Sequence, residues 1–212
     1  MVGLRERKKQ QTRLQISDIA TGLFLERGFD AVTIAEIAEA AEVSVNTVYN
    51  YFPAKEDLFF DRESELMRRP SDIVREREPG QSAAEALLEQ LRSDLDAHSW
   101  EVGMHEGFDR FVRCIRESPA LLARLYGMER RIAEHLAEVL REEVAADADD
   151  PTPEAVATQL VGMNNAIHQV IWNGVYIGHT RAEVGRRARR DLDVHASLLS
   201  DTVLNYATRP EI

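Results

Sequence analysis

The chain has 212 residues, one cysteine (Cys114), sparse glycine (11) and proline (7), and a net charge of −11. A single cysteine excludes an internal disulfide and a cysteine-based zinc site, and few turn formers beside abundant Ala, Leu, Glu and Arg favour an all-α protein of one small and one medium domain. With no signal peptide and no apolar run of membrane-spanning length, the expectation is a soluble, cytoplasmic protein with no membrane partner. The acid is uneven: residues 1–60 carry 7 Lys+Arg against 9 Asp+Glu, and residues 61–212 carry 19 against 28.

The first 13 residues are basic. Arg5, Lys8 and Lys9 form a candidate arm for phosphates or the minor groove, the alternative being a solvated terminus. A helix over about 9–27 follows, with Ile16, Ile19, Ala20, Leu23 and Phe24 as its apolar stripe and Gly28 as its C-cap. Thr33 followed by Glu36 is a capping box that starts a helix at Ile34, whose stripe is Ile34, Ile37, Ala38 and Ala41. Ser44 is a second N-cap, opening a short helix from Val45 to about Tyr51 that Phe52-Pro53 ends. A third helix is expected over 54–68. Between Val43 and Lys55 no side chain is acidic. With Val43, Val48 and Phe52 turned to the core, the exposed positions combine base-edge readers and phosphate donors.

Thr33, Val43-Ser44, Thr47-Val48-Tyr49, Phe52-Pro53 and Lys55 together resemble the DNA-binding domain of the TetR family of bacterial transcriptional regulators, over about residues 10–60. Glu42 departs from the family pattern, which has glycine in that turn, and so does Val45-Asn46, where a basic residue and glycine are frequent. The resemblance implies a helix-turn-helix whose Thr33, Ser44, Tyr49, Tyr51 and Lys55 meet phosphates, helped by the helix starts at Ile34 and Ala54. Val45, Asn46, Thr47 and Asn50 are the candidates for base edges. It further implies a homodimer on a palindromic double-stranded operator, repressing until a small-molecule effector releases it. A DNA-binding activator, a nucleoid-organising protein or a helical small-molecule-binding protein without DNA function are the alternatives.

Beyond the motif, helices are expected over about 82–98, 102–117, 119–146, 153–178 and 181–207. The breaks are PSDIVREREPG at 70–80 and the acidic ADADDPTP. The resulting domains are 1–53 for the arm and helix-turn-helix, 54–80 for a connecting helix and linker, and 81–212 for effector binding and dimerisation. Ile171, Gly174, Val175 and Gly178 lie on one late helix, Gly174 and Gly178 as a small-x-x-x-small pair that admits a close helix, and Leu192, Ala196, Leu199 and Val203 on the next follow near-heptad spacing. They pair within the chain or, as the resemblance implies, across a dimer axis. The run Arg186 to Arg190 reads as a solvated face.

The resemblance also implies an effector pocket, whose candidate lining is Met104, Phe108, Phe111, Tyr126, Met128, Met163, Asn164, His168 and Trp172. Plain core is the competing reading for the methionines and aromatics, less so for Asn164 and His168. His98, Glu101, His105 and Asp109 have metal-like spacing, but such residues are common on exposed helices, and no metal or cofactor is expected. Glycine-rich phosphate loops, HExxH and GxSxG are all absent from the sequence, so no catalytic residues are assigned.

Overall fold

The computed structural model describes residues 3–61 and 63–211, apart from the side chains of 4, 5 and 63–66. The described residues form helices and no strand, as composition predicts: α1 Leu4–Arg27, α2 Ile34–Ala40, α3 Val45–Tyr51, α4 Lys55–Phe59, α5 Glu63–Glu76, α6 Ala83–Asp96, α7 Phe108–Glu117, α8 Pro119–Glu143, α9 Thr152–Tyr176, α10 Arg181–Ser197 and α11 Asp201–Leu204. A 3-10 turn, Trp100–Val102, precedes α7. Two compact units emerge, one of Met1–Glu63 with Arg113–Leu125, the other of Ser64–Val112 with Tyr126–Ile212.

The first unit closes around aromatic rings. Phe24 and Phe29 lie 4.9 Å apart, and Phe59 sits 6.1 and 6.2 Å from them. Ile16, Ala20, Ile37, Val48, Phe52 and Leu58 are fully buried around this group. The stretch from 113 to 125 joins the same unit through side chains. Arg124 donates to Asp57 at 2.8 Å, the buried Ser118 donates to Asp30 at 3.1 Å, and Cys114, its thiol pushed up by burial, faces the Phe24 carbonyl.

In the second unit, one apolar cluster gathers Val74, Leu136, Leu140, Leu160 and Val203, and another gathers Leu88, Leu91, Met104, Met163, Ile167, Ile171 and Leu192. Arg77 is buried and holds the link between α5 and α6. It donates to the carbonyls of Val74, Gln81 and Ala207 and pairs with Glu143 at 2.8 Å.

Five expectations differ. α1 begins at Leu4, so the basic arm is helical. The helix expected over 54–68 is two: α4 ends at Phe59 and α5 starts at Glu63. Pro70 lies inside α5 instead of starting a linker, and Val74 just beyond it is fully buried. The helix expected from 102 starts at Phe108, because Gly103 and Gly107 adopt left-handed φ of 74° and 85°. The last helix breaks at Ser200, whose side chain caps α11.

Candidate functional site

α2 and α3 are held by reciprocal caps. Glu36 accepts from the Thr33 amide (2.7 Å) and hydroxyl (2.7 Å), and the Glu36 amide donates back to the Thr33 hydroxyl at 3.2 Å. The Arg27 guanidinium, 2.6 Å from Glu36, is the main reason this carboxyl titrates at about 2, with the Thr33 bonds adding to it. In the turn, Glu42 itself takes the left-handed conformation, φ 57°, that the family pattern leaves to glycine. Ser44 accepts from the Thr47 amide at 3.0 Å and starts α3.

The helical period then sorts α3. Val48 and Phe52 are buried, as expected, while Val43 is half-buried. Val45, Asn46, Tyr49 and Asn50 recur at i, i+1, i+4 and i+5 and make one exposed face, Val45 at 41% and Tyr49 at 49% exposure. Thr47, expected beside them, is half-buried on the flank with its hydroxyl 2.8 Å from Ser44. Tyr51 is also half-buried, and its carbonyl accepts from Arg13 at 2.8 Å.

Lys55 departs most from its expected role. Its ammonium donates to the Phe29 carbonyl at 2.5 Å and stands over the Phe29 ring at 4.3 Å. Burial pulls it below the usual lysine range. The start of α4 is already occupied, since Asp57 accepts from the Ala54 amide at 2.9 Å. Thr33, Ser44, Lys8 and Lys9 are exposed; the side chain of Arg5 lies outside the described residues.

Arg13 is a supporting residue that the sequence reading left among the arm charges. It lies 4.4 Å over Phe52 and pairs with Asp61 at 2.6 Å, and Ser17 donates to the same carboxylate at 2.8 Å. These partners stand 38 to 48 positions away from Arg13 or its neighbours, so no local spacing announces them.

The effector lining is only partly assembled. Phe108 lies 5.5 Å from Phe111 and 6.0 Å from Trp172, and one turn from Trp172 the Asn164 amide reaches the His168 ring at 3.2 Å. His168 is half-buried; desolvation, then the nearby Arg69, pull its imidazole down to about 4, so it is neutral at physiological pH. Met104 and Met163 belong to an apolar cluster, Met128 is buried, and Tyr126 is 63% exposed. Among the described residues no three His, Cys, Asp or Glu side chains converge to hold a metal ion.

The expected dimer stripe is largely an internal seam. Ile171, Gly174, Leu192 and Val203 are buried within the chain, and a Cβ on Gly174 would come 2.7 Å from Val184 of α10. Val175, Ala196 and Leu199 are half-buried, and Gly178 is exposed. The near-heptad spacing is satisfied by α9 packing on α10 in the same chain.

Two capped helices joined by a tight turn, the second presenting uncharged donors on one face, define a helix-turn-helix DNA-binding unit. Residues 16–61 match the family described as bacterial regulatory proteins, tetR family. The regulator TcmR of Streptomyces glaucescens is 29% identical over 153 residues, covering 70% of this chain and 67% of TcmR. LuxR of Vibrio harveyi is 39% identical over 74 residues, but this spans only 32% of the chain and 36% of LuxR. The fold is similar to that of SmeT, solved with triclosan, at a TM-score of 0.60 and 18% identity, over 95% of this chain and 98% of SmeT. Residues 16–61 thus carry the DNA-binding domain of the TetR family, and the relatives matched over longer stretches are transcriptional regulators. Among the described residues no helix is long and apolar enough to cross a membrane.

Proposed function

We propose that the protein is a repressor that binds a palindromic operator as a homodimer and leaves it when a small molecule occupies the larger unit. The observation that carries the DNA half is the uncharged, exposed face of α3 formed by Val45, Asn46, Tyr49 and Asn50. Asn46 and Asn50 offer hydrogen bonds to base edges, Val45 offers contact to a thymine methyl, and Tyr49 and Ser44 serve phosphates. The exposed Lys8 and Lys9 add backbone contacts. Because the chain is acidic overall, random DNA is held weakly and specificity rests on this face.

One α3 reads a few base pairs, so two copies are needed for a long operator. We place the dimer surface on the outward side of α9 and α10, where Tyr176, Ile177, Val194 and Leu198 are exposed. That SmeT was solved with triclosan supports the effector half. So does the group of Phe108, Phe111 and Trp172 beside the neutral pair Asn164 and His168, which suits an aromatic ligand with a hydrogen-bonding group.

Passing fragmented genomic DNA over the purified protein tests the reading, with an Asn46→Ala, Tyr49→Ala double variant as control. Retention of a few fragments sharing an inverted repeat, lost in the variant, is the expected result. Equal retention by both proteins overturns it.

A further inference from the structure

We infer that the second unit carries, beside the expected effector lining with which it shares Met104, a site for a zwitterionic α-amino acid with an apolar side chain. The site is a cleft of ≈ 220 Å³ between the loop 103–107, the first turn of α7, and the corner joining α9 to α10. Its floor is apolar, made by Met104, Val175 and Val184, of which Met104 and Val184 are buried in the cluster beneath. Its walls carry opposite charge: Glu106 and Asp109 on the α7 side, and Arg181, next to the imidazole of His179, on the side of the α9–α10 corner.

What points to a ligand is that these charges share one cleft without meeting. Among the described residues neither Asp109 nor Arg181 makes an ion pair or a side-chain hydrogen bond, although both line the same small space. A simple anion would face the repulsion of two carboxylates, and a simple cation that of Arg181. A bare metal ion lacks the three converging ligands it needs. A molecule with an ammonium toward Asp109, a carboxylate toward Arg181 and an apolar group on Met104, Val175 and Val184 answers every wall. Being neutral overall, it also meets no long-range repulsion from the acidic chain.

At Gly103 the backbone of the cleft leaves no room for a side chain. A Cβ on Gly103 would fall 2.2 Å from the ring of Phe108, so the loop lies directly on that ring. His105 is fixed by stacking on Trp100, with ring centroids 5.6 Å apart. The site is distinct from the α3 face and does not rest on the DNA reading.

Isothermal titration of the full chain with L-leucine, L-methionine and L-phenylalanine is the test, beside N-acetyl-L-leucine and L-leucinamide. At least one free amino acid should bind once per chain with a Kd of about 1 mM or tighter, and removing either ligand charge should weaken binding at least about tenfold. Arg181→Gln and Asp109→Asn should each weaken it as much with unchanged melting temperatures, since Arg181 is exposed and Asp109 half-buried. The inference is overturned if none of the three binds, if the acetylated and amidated compounds bind as well as leucine, or if both variants bind like the parent.

Discussion

Lys55 holds the position where the resemblance expects a phosphate contact, yet its ammonium lies on the Phe29 carbonyl and ring. Removing a charged donor from a half-buried carbonyl costs on the order of 1–3 kcal/mol. Lys55→Ala should therefore lower the melting temperature of the chain while leaving the ratio of operator to random-DNA affinity unchanged in the folded protein. An unchanged melting temperature with uniformly weaker DNA binding would return Lys55 to the phosphates. Glu36 gives a second check at this scale. Its folded carboxyl titrates at about 2 against a reference of 4.5, so the stability it contributes is present above pH 4.5 and lost as pH falls toward 2. Glu36→Gln should flatten the acid limb of the stability profile in that window; an unaltered limb would mean that the Thr33 and Arg27 bonds do not persist in solution.

Among the elements, the short helices of the DNA-binding unit were legible because their signals are local: Thr33 and Glu36, Ser44, and Pro53 each act within four residues. The breaks at Phe60, Gly103 and Ser200 were not. Periodicity alone runs through all three, and the left-handed φ of Gly103 shows only in the backbone. Gly174 shows the same limit from the other side. Its small-residue spacing is real, but the helix it admits is α10 of its own chain, with Val184 filling the space a Cβ would need. Gly174→Ala ordinarily strengthens a helix by about 1 kcal/mol, but overpacking of ~1–3 kcal/mol outweighs it here. Thermal melting should show a net loss, and a gain would mean the seam is looser than described. On the same helix, neutral His168 stands near Arg69, Asp94 and Asn164, with a folded value of about 4 against 6.5. Its folded pKa is depressed, so its stability contribution is complete above pH 6.5 and is lost between 6.5 and about 4, by at most ~3 kcal/mol. His168→Gln should remove that slope from denaturant unfolding measured across this range.

At the scale of the whole molecule, membership of Arg113–Leu125 in the first unit could not be read from chain order. Arg124 and Asp57 are 67 positions apart, and no periodicity links them. The stripe on α9 and α10 was likewise legible, but an apolar stripe does not say whether its partner is in the same chain, and half of its residues are buried within this one. Leu198, at the end of α10, is 77% exposed and belongs to the proposed interface. Leu198→Glu should convert a dimer to monomer in sedimentation equilibrium without lowering the melting temperature of the monomer. Persisting dimers would place the interface elsewhere.

The central claim is that α3 reads bases through an exposed, uncharged face. The most direct measurement is the affinity of the chain and of Asn46→Ala for a selected operator and for random DNA of the same length, at one fixed salt concentration. Asn46 is exposed and caps nothing, so its loss leaves the fold intact. The account predicts a loss of ~1–3 kcal/mol on the operator, relaxed preference at one base of each half-site, and little change on random DNA. Equal losses on both DNAs would contradict it and leave α3 as a backbone-docking helix.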